Sequence, residues 1–353
     1  MKTQKLTALV GAQYGSEGKG VVAKYYANEY DVHVRTGGPN AGHTFSYRGQ
    51  CFKMQSIPCG WSNPDASLVI GTGAVVNPRI LERELRMLQD VGVDITDRLF
   101  IDPRATLLTS EHEKSEGHTS GEIHKRIGST GEGVGAARLS RIHRNAKNTT
   151  LLGDYCVEHH PALANRLYDT ARLLHTEYGD GRNILLEGTQ GCGLSLVHGP
   201  WPYCTSGDTN AAQLCADAGL PPQWISDVIL VARTYPIRVA GNSGPMKSET
   251  NWDNISAKMG KPTEERTTVT KLVRRVAEWD SELFAQSIRI NAPTEVVLTF
   301  ADYLDPEIEG NTNSMTDKVR SFVQYIESTF EIPVSLVGTG FTEENGWSCI
   351  KRK

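Results

Sequence analysis

The sequence predicts an α/β protein: a central, mostly parallel sheet flanked by helices, a P-loop-like nucleotide-binding fold with insertions. Three observations carry this expectation. Apolar segments of strand length alternate with amphipathic segments of helix length along most of the 353 residues, the pattern of a parallel sheet with crossover helices. The first apolar run opens onto a glycine-rich turn and then a helix, an arrangement that receives phosphate. The length allows one large domain or two small ones, and no repeat, low-complexity tract or linker divides the chain. Residues 1–353 therefore read as a single domain.

Each element has its own reason. Residues 6–12 are apolar apart from Thr7, as suits a strand buried on both faces. Residues 19–28 follow as a short helix, and 32–36, 52–57 and 68–71 read as strands. Residues 78–91 are amphipathic, with Ile80, Leu81, Leu85 and Leu88 on one helical face. The stretch 103–150 is polar and loop-rich and reads as a lid or an interface excursion. Residues 161–178 form a further helix carrying Leu163, Leu167, Leu173 and Leu174. Strands are expected at 183–187 and 225–233, a helix at 270–290, a strand at 295–300, a helix at 317–330 and a strand at 334–337. Trp61, Trp201 and Trp224 read as packing residues, and the evenly spaced His112, His118 and His124 fit no zinc pattern.

Composition narrows the function. Lysine plus arginine total 37 and aspartate plus glutamate 41, a formal charge of −4. A polyanion binder usually shows a basic face, so no nucleic-acid polymer is expected as a partner. No apolar run approaches the ~18 residues of a membrane span. The opening apolar stretch is too brief for a signal peptide. Seven cysteines without a C-x-x-C pair fit reduced thiols in the cytoplasm.

The glycines are more informative. Fourteen of the 34 fall in 11–42, 128–135 and 188–193, which marks backbone approaching a ligand or tight turns. The first group reads Gly11-Ala12-Gln13-Tyr14-Gly15-Ser16-Glu17-Gly18-Lys19-Gly20. Amides at the helix start can surround phosphate oxygens, with Lys19 as a point charge. It is not a Walker A loop, because Gln13 and Gly20 stand where that motif needs glycine and Ser or Thr. The second, 36–44, ends in Gly42-His43-Thr44, a histidine placed to polarise a phosphoryl or carbonyl oxygen. The third, 128–135, offers hydroxyls and amides to a second phosphate. The fourth is Glu187-Gly188-Thr189-Gln190-Gly191, with the run 205–210 after it.

On these four motifs the chain resembles the adenylosuccinate synthetase family along nearly its whole length. Tyr14-Gly15-Ser16-Glu17-Gly18-Lys19-Gly20 matches the family's Trp-Gly-Asp-Glu-Gly-Lys-Gly. Gly-Gly-x-Asn-Ala-Gly-His-Thr stands intact at 37–44, the third motif at 127–135 differs at Ser129 and Val134, and Glu-Gly-x-Gln-Gly stands at 187–191. The resemblance implies transfer of a γ-phosphoryl group to O6 of a purine monophosphate, followed by displacement by aspartate. It implies Ser16, Lys19, His43 and Gln190 as the catalytic set, and Ser16, Asn40, Thr130, Arg144, Gln190 and Thr205 around the purine monophosphate. It implies Gly15, Glu17, Gly18, Lys19, Gly20, Gly42, His43 and Thr44 around the triphosphate, with Phe300, Asp302, Gly338, Thr339 and Gly340 at its base. Mg²⁺ is implied on Gly42 and Ser16. A homodimer is implied in which Arg144 reaches the partner's monophosphate; a solvated basic face along Arg138, Arg141 and Arg144 is the simpler alternative.

Three departures matter. The family has aspartate where Ser16 stands, to take the purine N1 proton and to ligate Mg²⁺. Serine makes room for the 2-amino group of guanine and can accept its hydrogen bond. This substitution resembles the bacteriophage branch of the family, which implies dGMP, L-aspartate and ATP or dATP as substrates, in a host cytoplasm. Glu17, a water on Ser16 or a substrate phosphate remain open as the replacement base. The second departure is Thr299-Phe300-Ala301-Asp302 in place of Thr-Lys-x-Asp, which exchanges a guanine-reading lysine for a ring that stacks on any purine. The third is the aspartate-binding run. Thr267 and Thr268 match its opening Thr-Thr; counting back from Trp279 then selects Arg274 and Arg275, whereas counting forward from Thr267 favours Lys271. An ordinary synthetase using IMP and GTP, and an inactive nucleotide-binding module, are the alternative readings.

Overall fold

The computed structural model describes residues 4–144, 151–267, 271–342 and 346–352. Nine strands form the main sheet: β1 (Leu6–Gly11), β2 (Val32–Arg35), β3 (Ser67–Ile70), β4 (Leu99–Ile101), β5 (Ile184–Glu187), β6 (Asp227–Arg233), β7 (Glu295–Thr299), β8 (Val334–Thr342) and β9 (Gly346–Lys351). Their order is β9-β8-β7-β6-β1-β5-β2-β3-β4. Every pair is parallel except β8 with β9. The expected fold class is what the chain adopts.

Strands in such a sheet are buried on both faces, which is why they read as continuous apolar runs. Alternate side chains serve opposite layers. Leu9, Leu185, Ile229, Val297 and Leu336 point into one core, and Ala8, Val10, Leu186, Leu230 and Leu298 into the other. The helix α1 (Lys19–Tyr25) follows β1 directly. Helix α2 (Pro78–Asp90) starts where the Asn77 side chain accepts the Arg79 amide, with proline at its first position. Its buried face includes Leu81 and Leu88 as expected, and also Glu84, whose carboxylate accepts the amides of Ser56 and Ile57.

Several expectations are corrected. Among its described residues the stretch 103–150 holds three α-helices, α3 (Ser110–Glu116), α4 (Glu122–Ile127) and α5 (Val134–His143). Residues 161–178 split into Pro161–Ala164 and Thr170–Gly179, because Asp169 caps the second helix. The strand expected at 52–57 belongs to a hairpin, His43–Tyr47 with Gln50–Met54, outside the main sheet. The helix expected at 270–290 covers only Ser281–Asn291, capped by Asp280. Before it, Arg275–Ala277 is the middle strand of a small antiparallel sheet between Ile237–Arg238 and Glu249–Thr250. Trp61 is buried, but Trp201 is 77% exposed. It stands in the turn after Gly199, at the rim of the large cavity described next.

Candidate active site

β1 is flanked by β6 on one side and β5 on the other, and the loops leaving the carboxyl ends of β1, β2, β5, β6 and β7 converge there. In open α/β sheets ligands bind at such a switch point. The loops enclose a cavity of about 1170 Å³.

The loop after β1 is shaped by positive φ at Gly15 (84°), Ser16 (58°) and Gly18 (91°). Such a backbone costs an L residue about 1–2 kcal/mol, and at Ser16 the Arg233 guanidinium offsets this by donating to the Ser16 carbonyl at 3.0 Å. Glu17 is fully buried. One of its oxygens accepts the amides of Gln13 (3.0 Å) and Gly15 (2.8 Å), and the other accepts Lys19 Nζ at 2.6 Å. Glu17 thus closes the loop from within and does not face the cavity, so it is no candidate for the base that takes the purine N1 proton. Gly15, Ser16, Gly18, Lys19 and Gly20 do wall the cavity. A Cβ at residue 20 would lie 2.8 Å from that of His43, which explains glycine where a P-loop carries Ser or Thr.

His43 opens the hairpin, and Thr44 and Gly42 beside it also wall the cavity. Its Nδ1 lies 2.5 Å from Glu187, at the end of β5. Glu187 also receives Arg35 at 3.1 Å and the Cys59 amide at 2.7 Å. Burial alone would raise the Glu187 carboxyl, but the His43 hydrogen bond and the His43 and Arg35 charges outweigh it and hold it at about 2. Burial, reinforced by Arg35, draws His43 down to about 4. The imidazole is therefore neutral at pH 7, with Nδ1–H donated to Glu187 and Nε2 left for a ligand. His43, Cys59 and Glu187 form a buried cluster, but the carboxylate already serves Arg35, His43 and an amide, so the cluster orients the imidazole.

At another part of the wall, Gln190 (φ 55°) donates to Asn40 at 3.4 Å and accepts the Thr189 hydroxyl at 2.6 Å. Thr130 and Thr205 share this cavity. The helix start after the third glycine motif is already occupied: the Glu116 carboxylate accepts the amides of Gly133 (2.8 Å) and Ala136 (2.9 Å). A phosphate there would meet Thr130 and the turn before it, not the α5 N-terminus.

Phe300, Asp302 and Gly340 form the wall beyond the first loop. The Phe300 ring lies 3.9 Å from the Arg233 guanidinium carbon. Asp302 is nearly buried, one carboxylate oxygen has no partner, and burial pushes it up to about 6. Gly338 and Thr339 stand behind the wall: Trp347 covers Gly338, and the Thr339 hydroxyl is held by the Asn311 carbonyl at 2.7 Å. Of the aspartate-binding set, Thr267 and Arg274 reach the cavity. Arg275 turns away, paired through two nitrogens with Glu249 at 2.7 and 2.6 Å. Lys271 is outside the wall, and Thr268 lies outside the described residues. Arg144 ends α5, exposed, and does not touch its own cavity.

For Mg²⁺ the protein offers the Gly42 carbonyl and the Ser16 hydroxyl, hard neutral oxygens at one cavity. Mg²⁺ characteristically takes few protein ligands and keeps phosphate oxygens and waters, so this donor set fits if substrate phosphates supply the charge. Sequence reasoning missed two arginines, Arg233 and Arg238, both buried. Arg238 lies 4.4 Å from the Tyr14 ring centre and donates to the Tyr203 carbonyl at 2.7 Å. The available signal for Arg233 was an arginine directly after the apolar run 228–232.

Comparison with known proteins gives one consistent answer. The family model described as adenylosuccinate synthetase matches residues 8–155 and 147–309. An adenylosuccinate synthetase of Archaeoglobus fulgidus is 36% identical over 339 residues, 95% of each chain. That of Methanocaldococcus jannaschii is 35% identical, over 95% of this chain and 94% of its own. Among solved structures, cyanophage S-2L succinoaminodeoxyadenylate synthetase (PurZ), bound to dGMP and to dATP as an energy donor, superposes with a TM-score of 0.83 at 30% identity, covering 98% of this chain and 96% of that one. A fully ligated Plasmodium falciparum adenylosuccinate synthetase gives 0.86 at 21% identity, over 99% and 100%.

Proposed function

This chain belongs to the adenylosuccinate synthetase family of nucleotide-dependent C–N ligases, and we propose that it condenses dGMP with L-aspartate, driven by ATP or dATP. The γ-phosphoryl group passes to O6 of dGMP as the N1 proton passes to a water on Ser16 or to a substrate phosphate, and ADP or dADP departs. The aspartate amine then attacks C6, loses a proton, and releases phosphate with O6. The product is 2-amino-2′-deoxyadenylosuccinate, a precursor of 2-aminoadenine DNA. The observation that carries this reading is Ser16 at the cavity wall, where the family motif has aspartate. A serine leaves space beside purine C2, and its hydroxyl can accept from a 2-amino group. The PurZ complex with dGMP and dATP is a supporting likeness.

In this reading Lys19 and the amides of 16–20 hold the triphosphate, and neutral His43 becomes a donor once phosphate charge favours its protonation. Mg²⁺, held by Gly42 and Ser16, would neutralise phosphate charge. Phe300 and Asp302 take the adenine, its ring stacked and its amino group donated to the carboxylate. Thr267 and Arg274 meet the aspartate carboxylates. The purine monophosphate contacts Asn40, Thr130, Gln190 and Thr205 and, in a homodimer, Arg144 of the partner subunit. The exposure of Arg144 beside Leu139 (55% exposed) and Ile142 (71%) supports a subunit contact at α5.

Phosphate release from every pairing of dGMP or IMP with ATP or GTP, in the presence of aspartate and Mg²⁺, tests the assignment. Turnover is expected with dGMP and ATP; turnover with IMP and not dGMP would overturn it. Ser16→Asp is expected to lower dGMP use and raise IMP use. The second reading, IMP-dependent synthesis, is favoured by the 36% identity to a named adenylosuccinate synthetase.

A further inference from the structure

Arg233 ends β6, between β1, which leads into the Ser16 loop, and β7, which leads to Phe300. Its side chain is wholly buried, yet it touches both loops. Nη1 donates to the Ser16 carbonyl at 3.0 Å and lies 3.3 Å from Glu265. Nη2 pairs with the other Glu265 oxygen. The guanidinium carbon sits 3.9 Å from the Phe300 ring centre. The backbone of Arg233 is gripped as well, exchanging hydrogen bonds of 3.0 and 2.9 Å with the Gln13 side chain.

Ser16 and Phe300 share one peculiarity. Both have left-handed backbones, at φ 58° and 57°, a conformation that non-glycine residues adopt rarely and that neighbours must hold in place. The Arg233 side chain contacts both, through the Ser16 carbonyl and the Phe300 ring. Ser16 and Phe300 stand on the wall of one cavity, so each is open to a ligand on its other side.

We propose that Arg233 is a positioning residue that couples the two nucleotide subsites. A base stacked on Phe300 fixes the guanidinium plane, and the guanidinium fixes the Ser16 carbonyl and so the hydroxyl that meets the purine monophosphate. The inference rests on the proposed placement of the triphosphate base at Phe300 and of the monophosphate at Ser16. Linkage makes the effect reciprocal: each nucleotide tightens the other by the same factor. A mere brace would alter stability, or both affinities, without changing that factor.

Calorimetric titration of the full-length protein with dGMP, with and without Mg²⁺ and β,γ-imido-ATP, measures the factor directly. Wild-type protein is expected to bind dGMP about tenfold tighter with the analogue present. Arg233→Lys keeps the charge but loses the fork and the planar stack, and should reduce the enhancement below about twofold. Phe300→Leu, which leaves the Glu265 pair intact, should do the same. Melting curves show that the variants are folded. An undiminished enhancement in both variants, or none in wild type when both ligands bind, overturns the proposal. The titrations are repeated with IMP and a GTP analogue. If IMP binds and dGMP does not, the substrate assignment falls, and the IMP series decides the role of Arg233 by the same criterion.

Discussion

The His43 Nδ1 to Glu187 distance of 2.5 Å joins a neutral base to a permanent carboxylate in a buried site. Removing the imidazole removes the Nε2 that would face the transferring phosphoryl group. His43→Asn should lower kcat by about 10²–10⁴, with the dGMP affinity less affected. The same residue gives a pH signature in the free protein. Its folded value of about 4 lies below the ordinary 6.5. Between those two values the unfolded chain binds a proton here and the folded chain does not, so stability present at neutral pH is lost as pH falls through this window. Denaturant titrations from pH 7 to 4 should show that loss in wild type and less of it in His43→Asn. Ser16 and His43 were legible because each sits in a motif of contiguous residues. Glu187 stood in a motif too, but its partnership with His43 joins positions 144 apart, which no local spacing reveals.

At the scale of elements, the run from Thr267 to Asp280 shows where local reading fails. Its apolar spacing suits a helix, yet Arg275–Ala277 forms the centre of a three-stranded sheet. Arg275 opens that strand and Arg274 directly precedes it, and the two consecutive arginines go to opposite sides. Arg274 reaches the cavity, and Arg275 reaches Glu249. Arg274→Ala should raise the KM for aspartate about tenfold or more. Arg275→Ala should leave that KM nearly unchanged and cost about 1 kcal/mol of stability, read from urea unfolding. The stretch 103–150 misled in the opposite sense. Helices α3 to α5 carry short polar faces that are held by side chains from a distance, as Glu116 holds the start of α5, so their apolar periodicity is weak.

At the scale of the whole molecule, the sheet brings the chain's first loop, its middle and its late strands to one edge. Among the described residues no helix is long and apolar enough to cross a membrane. Arg144 is the predicted site residue farthest from its own cavity in function, because it would serve a second copy. Mixing Arg144→Ala subunits with His43→Asn subunits tests this. If the arginine is supplied across a twofold interface, half the dimers regain one intact site, and activity should recover to about a quarter of wild type. No recovery, with subunit exchange verified, would assign Arg144 to its own chain or to the solvent.

The sequence by itself determined the fold class, the family and the glycine motifs whose residues wall the cavity. Continuous apolar strands and clustered glycines are local signals, and a loop that wraps a ligand is written in consecutive residues. Only the tertiary structure decided which side chains share a partner. It gave Glu17 to Lys19, Glu187 to His43, Arg275 to Glu249 and Arg233 to both Ser16 and Phe300. Apart from the first, these pairings join residues far apart in the chain. The Arg233 contacts arise because strand order places β6 between β1 and β7, and the Arg275 pair because its strand lies beside Glu249–Thr250 in the small sheet, adjacencies that the spacing of residues along the chain does not encode.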